Sequence, residues 1–171
     1  MRALICIITI LFAVSMSSLA AQEHGSWREF RSDADGFSVD LPGSPKVTSE
    51  DLGEGQTQRF FAVDNGSETY MASVIQLKPG RVPATPDQAY FDVLMKAYTD
   101  GSNTKLRSSR MFMWGGRTAI EGIADADSAT HLIDITTAGD RIYLIVYGGA
   151  KRQETTSQAT HMRDSFKLLG K

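Results

Sequence analysis

The sequence predicts an α+β domain: a mostly antiparallel β-sheet of about six or more strands, sandwiched by helices in an α/β/α arrangement. Three observations carry this. Short apolar–polar alternations recur between turn residues, only two segments have helical spacing, and Arg141–Tyr147 (RIYLIVY) is apolar on both faces. A strand of that last kind sits centrally in a sheet with both sides covered, and two helices suffice to cover them. Strands joined by short turns pair antiparallel.

The elements follow in chain order. Arg2 and the apolar run Ala3–Val14 precede Ser15–Ala20, where Ser18 and Ala20 suit the −3 and −1 positions of a signal-peptidase site. Residues 1–20 therefore read as a signal peptide, with an apolar run shorter than the ~20 residues of a spanning helix. Residues 21–171 read as a single globular domain bound for the periplasm or the medium, with no transmembrane segment after cleavage. Of the 18 basic and 20 acidic side chains, Arg2 leaves with the signal, so the domain carries net charge −3. The lone cysteine, Cys6, leaves too, which excludes thiol catalysis and thiolate metal sites.

Residues 22–29 read as a polar lead-in. In Phe37–Leu41 the alternation turns Phe37, Val39 and Leu41 to a core and Ser38 and Asp40 to water, and Pro42–Pro45 ends the strand. Arg59–Val63 and Thr69–Leu77 flank Asn65-Gly66, a type I′ hairpin signal. Thr85 as N-cap, Pro86 at N1 and Gln88 completing a capping box open a helix. Its stripe is Tyr90, Phe91, Leu94, Ala97 and Tyr98, and Gly101 is its stop. Leu106–Met113 and Arg117–Ala124 flank Gly115-Gly116, and His131–Thr136 and Arg141–Tyr147 flank Ala138–Asp140. A last helix starts near Thr156 or Ser157 and buries Ala159, Met162, Phe166 and Leu169.

Three of these segments resemble a known superfamily. Phe37–Pro45 (FSVDLPGSP) is similar to the "FSVxxPGxP" start of many exported bacterial domains of the PsbP-like and Mog-like superfamily. Gly139–Val146 resembles its "GxRxYxLxV" strand, and Met162–Leu168 its closing "FxxSFxL" helix, with Met162 where an aromatic is commoner. The resemblance implies an antiparallel sheet sandwiched by helices. Its members include photosystem accessory subunits and a binder of a small GTPase, and they share no catalytic motif to carry over.

Little in the chain is equipped for chemistry. No Gly-x-Ser-x-Gly elbow occurs, and His24, His131 and His161 lie far apart. His131 with Asp125 and Asp127 forms at best a weak cation site, outweighed by a strand-edge histidine beside a solvated loop. Met111 and Met113 share one strand face and read as core rather than copper ligands. Asp134, among Leu132, Ile133 and Ile135, reads as an outward side chain of a half-exposed strand. Gly115-Gly116 and Gly148-Gly149 do not match a phosphate cradle, and Asn65-Gly66-Ser67 is a hairpin turn before it is a sequon. No catalytic, cofactor-binding or metal residue is assigned, and no cofactor is expected.

Charge is unevenly spread. Residues 21–101 carry net −6 and residues 102–171 net +3. Lys105, Arg107, Arg110 and Arg117 fall in one hairpin with Trp114 near its turn, a candidate surface for an acidic partner. The competing reading is a solvated face with Trp114 folded onto the core. Net charge excludes a nucleic-acid partner. The expectation is a non-enzymatic exported binding or accessory domain whose partner is a protein or envelope component. The alternatives are a carrier of a small apolar ligand against Tyr90, Leu94 and Tyr98, or a hydrolase assembled from dispersed residues such as His131 and Asp134.

Overall fold

The computed structural model describes residues 26–170; the signal peptide expected over residues 1–20, Cys6 and His24 lie outside them. Ten strands and two helices follow one another. They are β1 (Arg28–Ser32), β2 (Phe37–Leu41), β3 (Lys46–Gly53), β4 (Gln56–Asp64), β5 (Thr69–Gln76), α1 (Gln88–Gly101) and β6 (Lys105–Trp114). After these come β7 (Arg117–Asp125), β8 (Ala129–Ala138), β9 (Arg141–Ala150), α2 (Ser157–Ser165) and β10 (Lys167–Leu168).

Seven strands form one sheet in the order β3-β4-β5-β9-β8-β7-β6, antiparallel throughout, so β9 is the middle strand, as its two apolar faces predict. Ile142, Leu144 and Val146 face one way, onto Phe91, Met95 and Tyr98 of α1. Tyr143, Ile145 and Tyr147 face the other way, onto Phe37, Val39 and Leu41 of β2 and onto Ala159, Met162 and Phe166. Each large apolar side chain so covered is worth about 1.5–3 kcal/mol relative to exposure. The second face is thus shared between α2 and a small sheet of order β1-β2-β10.

Several local expectations shift. β1 begins inside the predicted polar lead-in because Trp27 and Phe30 pack on the core. Ser38 is buried rather than solvated, since β2 lies between β1 and β10 and α2 crosses it. Helix α1 starts two residues later than the capping box implies: Asp87 is the N-cap, and the Tyr90 amide donates to its carboxylate at 2.9 Å. Gly101 is its last residue, and Asn103 takes the left-handed conformation instead (φ 51°).

Two turns contrast. Gly115 and Gly116 both have positive φ (55° and 80°), joining Trp114 directly to Arg117 in a two-residue hairpin. Asn65-Gly66 is instead part of a four-residue loop, residues 65–68, in which Asn65 Oδ1 accepts the Ser67 and Glu68 amides. The final helix is shorter than predicted. After Ser165 the chain turns extended at Phe166 (ψ 130°), and β10 pairs with β2, so Phe166 reaches the core from outside the helix. Met113 is not core either: β6 is an edge strand reaching past α1, and Met113 is 66% exposed.

Candidate functional site

The end of α2 creates a gap. Where the chain straightens into β10, the small sheet stops short of the hairpin ends of β6–β7 and β8–β9, leaving a cleft of about 1040 Å³. Its floor is aromatic. Trp114 and Phe166 meet in a tilted contact with centroids 4.7 Å apart and planes at 43°, and the Tyr143 ring centroid lies 6.0 Å from that of Phe166. The Tyr143 hydroxyl donates to the Asp35 carbonyl at 2.9 Å, and burial holds its pKa above the usual phenol range.

The rim is basic, and its acids are occupied. Asp33 pairs with Arg31 at 2.8 Å, and Asp140 accepts the Gly80 amide at 2.8 Å. Arg141 Nε donates to Gln76 Oε1 at 2.7 Å, a neutral partner. Among the described residues, Arg117, Arg141 and Lys167 have no carboxylate partner. Tight turns place them: the Gly-Gly hairpin sets Arg117 opposite Trp114, and the Gly139-Asp140 turn sets Arg141 opposite Ala138. An aromatic floor under three uncompensated cations suits an anionic group carried on apolar substance.

Behind the cleft, on the same face as Thr136, lies a buried acidic pair. Asp134 is 1% exposed, and its Oδ1 has no hydrogen-bond partner, contrary to the outward orientation expected from its strand. Alternation does turn it from Ile133 and Ile135, but that second face is covered by α2 rather than open. Glu121 stands opposite on β7 and accepts from Arg110 (2.7 and 3.1 Å) and from Arg163 of α2 (2.9 Å). Desolvation, then the Glu121 charge, pushes the Asp134 carboxyl up to about 8, whereas Arg110 holds Glu121 below its usual range. Asp134 therefore holds its proton to higher pH than Glu121 does. Such separated protonation suits acid–base work only where a substrate can reach it, and α2 covers this pair.

The remaining candidates are held elsewhere. Arg107 binds Asp125 (2.9 and 2.7 Å) and Glu154 (2.6 Å), and this holds the Asp125 carboxyl down at about 2. His131 Nδ1 meets the Tyr98 hydroxyl at 2.8 Å on the α1 face, and burial lowers its pKa. Since His131 pairs with Ala124, alternation sets Asp125 on the opposite face. Among the described residues no three His, Cys, Asp or Glu side chains are grouped to hold a metal. Against α1, Tyr98 and Met95 are buried, and Met95 presses so closely on β7 that a Cβ at Gly122 would collide with it. Tyr90 and Leu94 are half-buried at the margin of that packed layer.

The basic hairpin of the sequence is thus distributed along its length. Lys105 lies nine residues from Trp114, ~30 Å in an extended strand. Arg107 and Arg110 spend their charge on carboxylates, and Trp114 and Arg117 meet at the cleft. Arg31, Arg141 and Lys167 join them from distant parts of the chain. Only one local signal pointed there, the short loops that bring strand ends together.

No family model and no curated protein matches the sequence. Among solved structures, the fold is similar to the solution structure of cyanobacterial PsbP (CyanoP) from Synechocystis sp. PCC 6803, with TM-score 0.56 and 15% identity over 90% of this chain and 98% of that one. A protein of Bacteroides thetaiotaomicron VPI-5482 aligns with TM-score 0.40 and 16% identity over 87% of this chain and 50% of that one. The fold is PsbP-like.

Proposed function

We propose that this chain is an exported, non-enzymatic binding or accessory domain that holds an anionic face of a protein or envelope component in the basic cleft. The observation that carries the reading is the set of three cations, Arg117, Arg141 and Lys167, without carboxylate partners around the Trp114–Phe166 floor. Arg117 and Lys167 are exposed and Arg141 half-buried, so an incoming anion meets cations that no carboxylate of the described residues already pairs. The PsbP-like fold and the signal-like residues 1–20 support an accessory role outside the cytoplasm.

The test is photo-crosslinking in the native host from Ala34, an exposed residue of the cleft wall. A specific adduct is expected from Ala34 and not from Val93, exposed on α1. The paired substitution Arg117→Glu and Lys167→Glu should abolish it. An adduct that survives charge reversal would sink the cleft as the binding site. Export is checked separately by the mass of the purified protein, which should begin at Ala21.

A further inference from the structure

We infer that the occupant of the cleft is an extended acidic segment of a partner protein, added as a fourth strand beside β10; this rests on the reading of the cleft as the binding site. β10 is the end strand of the small sheet and pairs with β2 alone. The Leu169 amide turns inward to the Gly36 carbonyl at 2.8 Å, and Lys167 and Leu169 share that orientation by alternation. The N–H and C=O of Leu168 then point to the free side. Residues 167–170 form one wall of the cleft, so this free edge opens into it.

Backbone groups at a sheet edge recognise another backbone, which neither a small anion nor a bilayer surface supplies. The remaining walls match a strand with alternating side chains. Along β10 Lys167 faces one side and Phe166 and the partly buried Leu168 the other, and Arg117, Arg141 and the Trp114 ring line the same cleft. An added strand with Asp or Glu at every second position and apolar residues between them meets both. The space, about 1040 Å³, lies at or above the ~300–1000 Å³ of small-molecule pockets and accommodates several extended residues.

The probe is a phage-displayed library of random seven-residue peptides, selected on the protein purified from its host. Enriched sequences should carry Asp or Glu at alternate positions. A synthetic enriched peptide should lose at least tenfold in affinity when one set of its alternate amides is N-methylated, and little when the other set is. Arg117→Glu with Lys167→Glu should abolish binding while leaving the circular dichroism spectrum unchanged and the thermal midpoint within about 4 °C.

Two failures are distinguishable. Acidic peptides that depend on Arg117 and Lys167 but respond equally to both N-methylation patterns overturn strand addition and leave the cleft reading standing. Peptides indifferent to the charge reversal, or a selection that enriches no acidic sequence, overturn both.

Discussion

The two faces of the large sheet are finished in different ways. Against α1 the layer is closed: Phe91, Met95 and Tyr98 interlock with Ile120, Ile133, Ile135 and Leu144, and the buried polar contacts there, Tyr98 with His131 and Gln58 with Ser73, join uncharged groups. The opposite face is covered by pieces, the three-stranded sheet and the nine-residue α2 that packs on it, and together they leave part of the face open. At that face stand the buried Asp134, the Glu121–Arg110–Arg163 cluster and the basic cleft. Under a long helix with a continuous apolar stripe, the buried polar groups are uncharged. A composite cover leaves seams, and the seams hold the charges.

The largest expected effect tests the closed face. Phe91→Ala removes a fully buried ring from an interlocked layer and should cost about 3–5 kcal/mol in denaturant unfolding, without altering the cleft. A loss under 1 kcal/mol would mean that the α1 layer is looser than the seam side.

The next separates the faces by pH. Asp134 has a folded-state pKa of about 8 against 3.8 unfolded, so folding takes up a proton between those values. Its stabilising contribution is full below about pH 3.8 and is lost as pH rises through 8. The wild type should therefore lose stability relative to Asp134→Asn by up to about 1.4 kcal/mol per pH unit across this window. Urea melts at pH 5 and pH 8 measure it; a difference between the two proteins that does not change with pH would refute it.

A smaller effect is expected where α2 is tied down. Arg163→Ala leaves Glu121 with Arg110 alone and should destabilise by about 1–2 kcal/mol, with faster amide exchange confined to α2 and β10. Exchange changes spread over α1 instead would contradict the seam picture. The smallest stability change belongs to the cleft rim: Arg117→Glu and Lys167→Glu should shift stability by no more than ~0.5 kcal/mol each, because neither side chain has an ion-pair partner among the described residues. A larger loss would show that these cations are structural rather than available to a ligand.

Much of the frame was legible in the residues. The two-sided apolarity of Arg141–Tyr147 placed the middle strand, and the Gly115-Gly116 pair placed a hairpin whose backbone requires positive φ at both positions. The cleft was only half legible. Trp114 and Arg117 announced themselves as neighbours across a turn, but Lys167 was hidden in a helical period that Phe166 and Leu169 extend past the true end of α2. Asp134 was misread because a polar residue at an alternating position marks the face it points to without saying what covers that face.

By itself, the sequence determined the local periodicities: which side of each strand is apolar, where the tight turns fall, and which strand lies at the centre. These depend on neighbours a few residues apart and on backbone sterics. Tertiary structure alone decided that α2 stops at Ser165, that Asp134 lies under it without water, and that Arg117, Arg141 and Lys167 meet around one gap. Those outcomes depend on how two incomplete covers divide one sheet face, and the spacing of residues along the chain carries no term for that division.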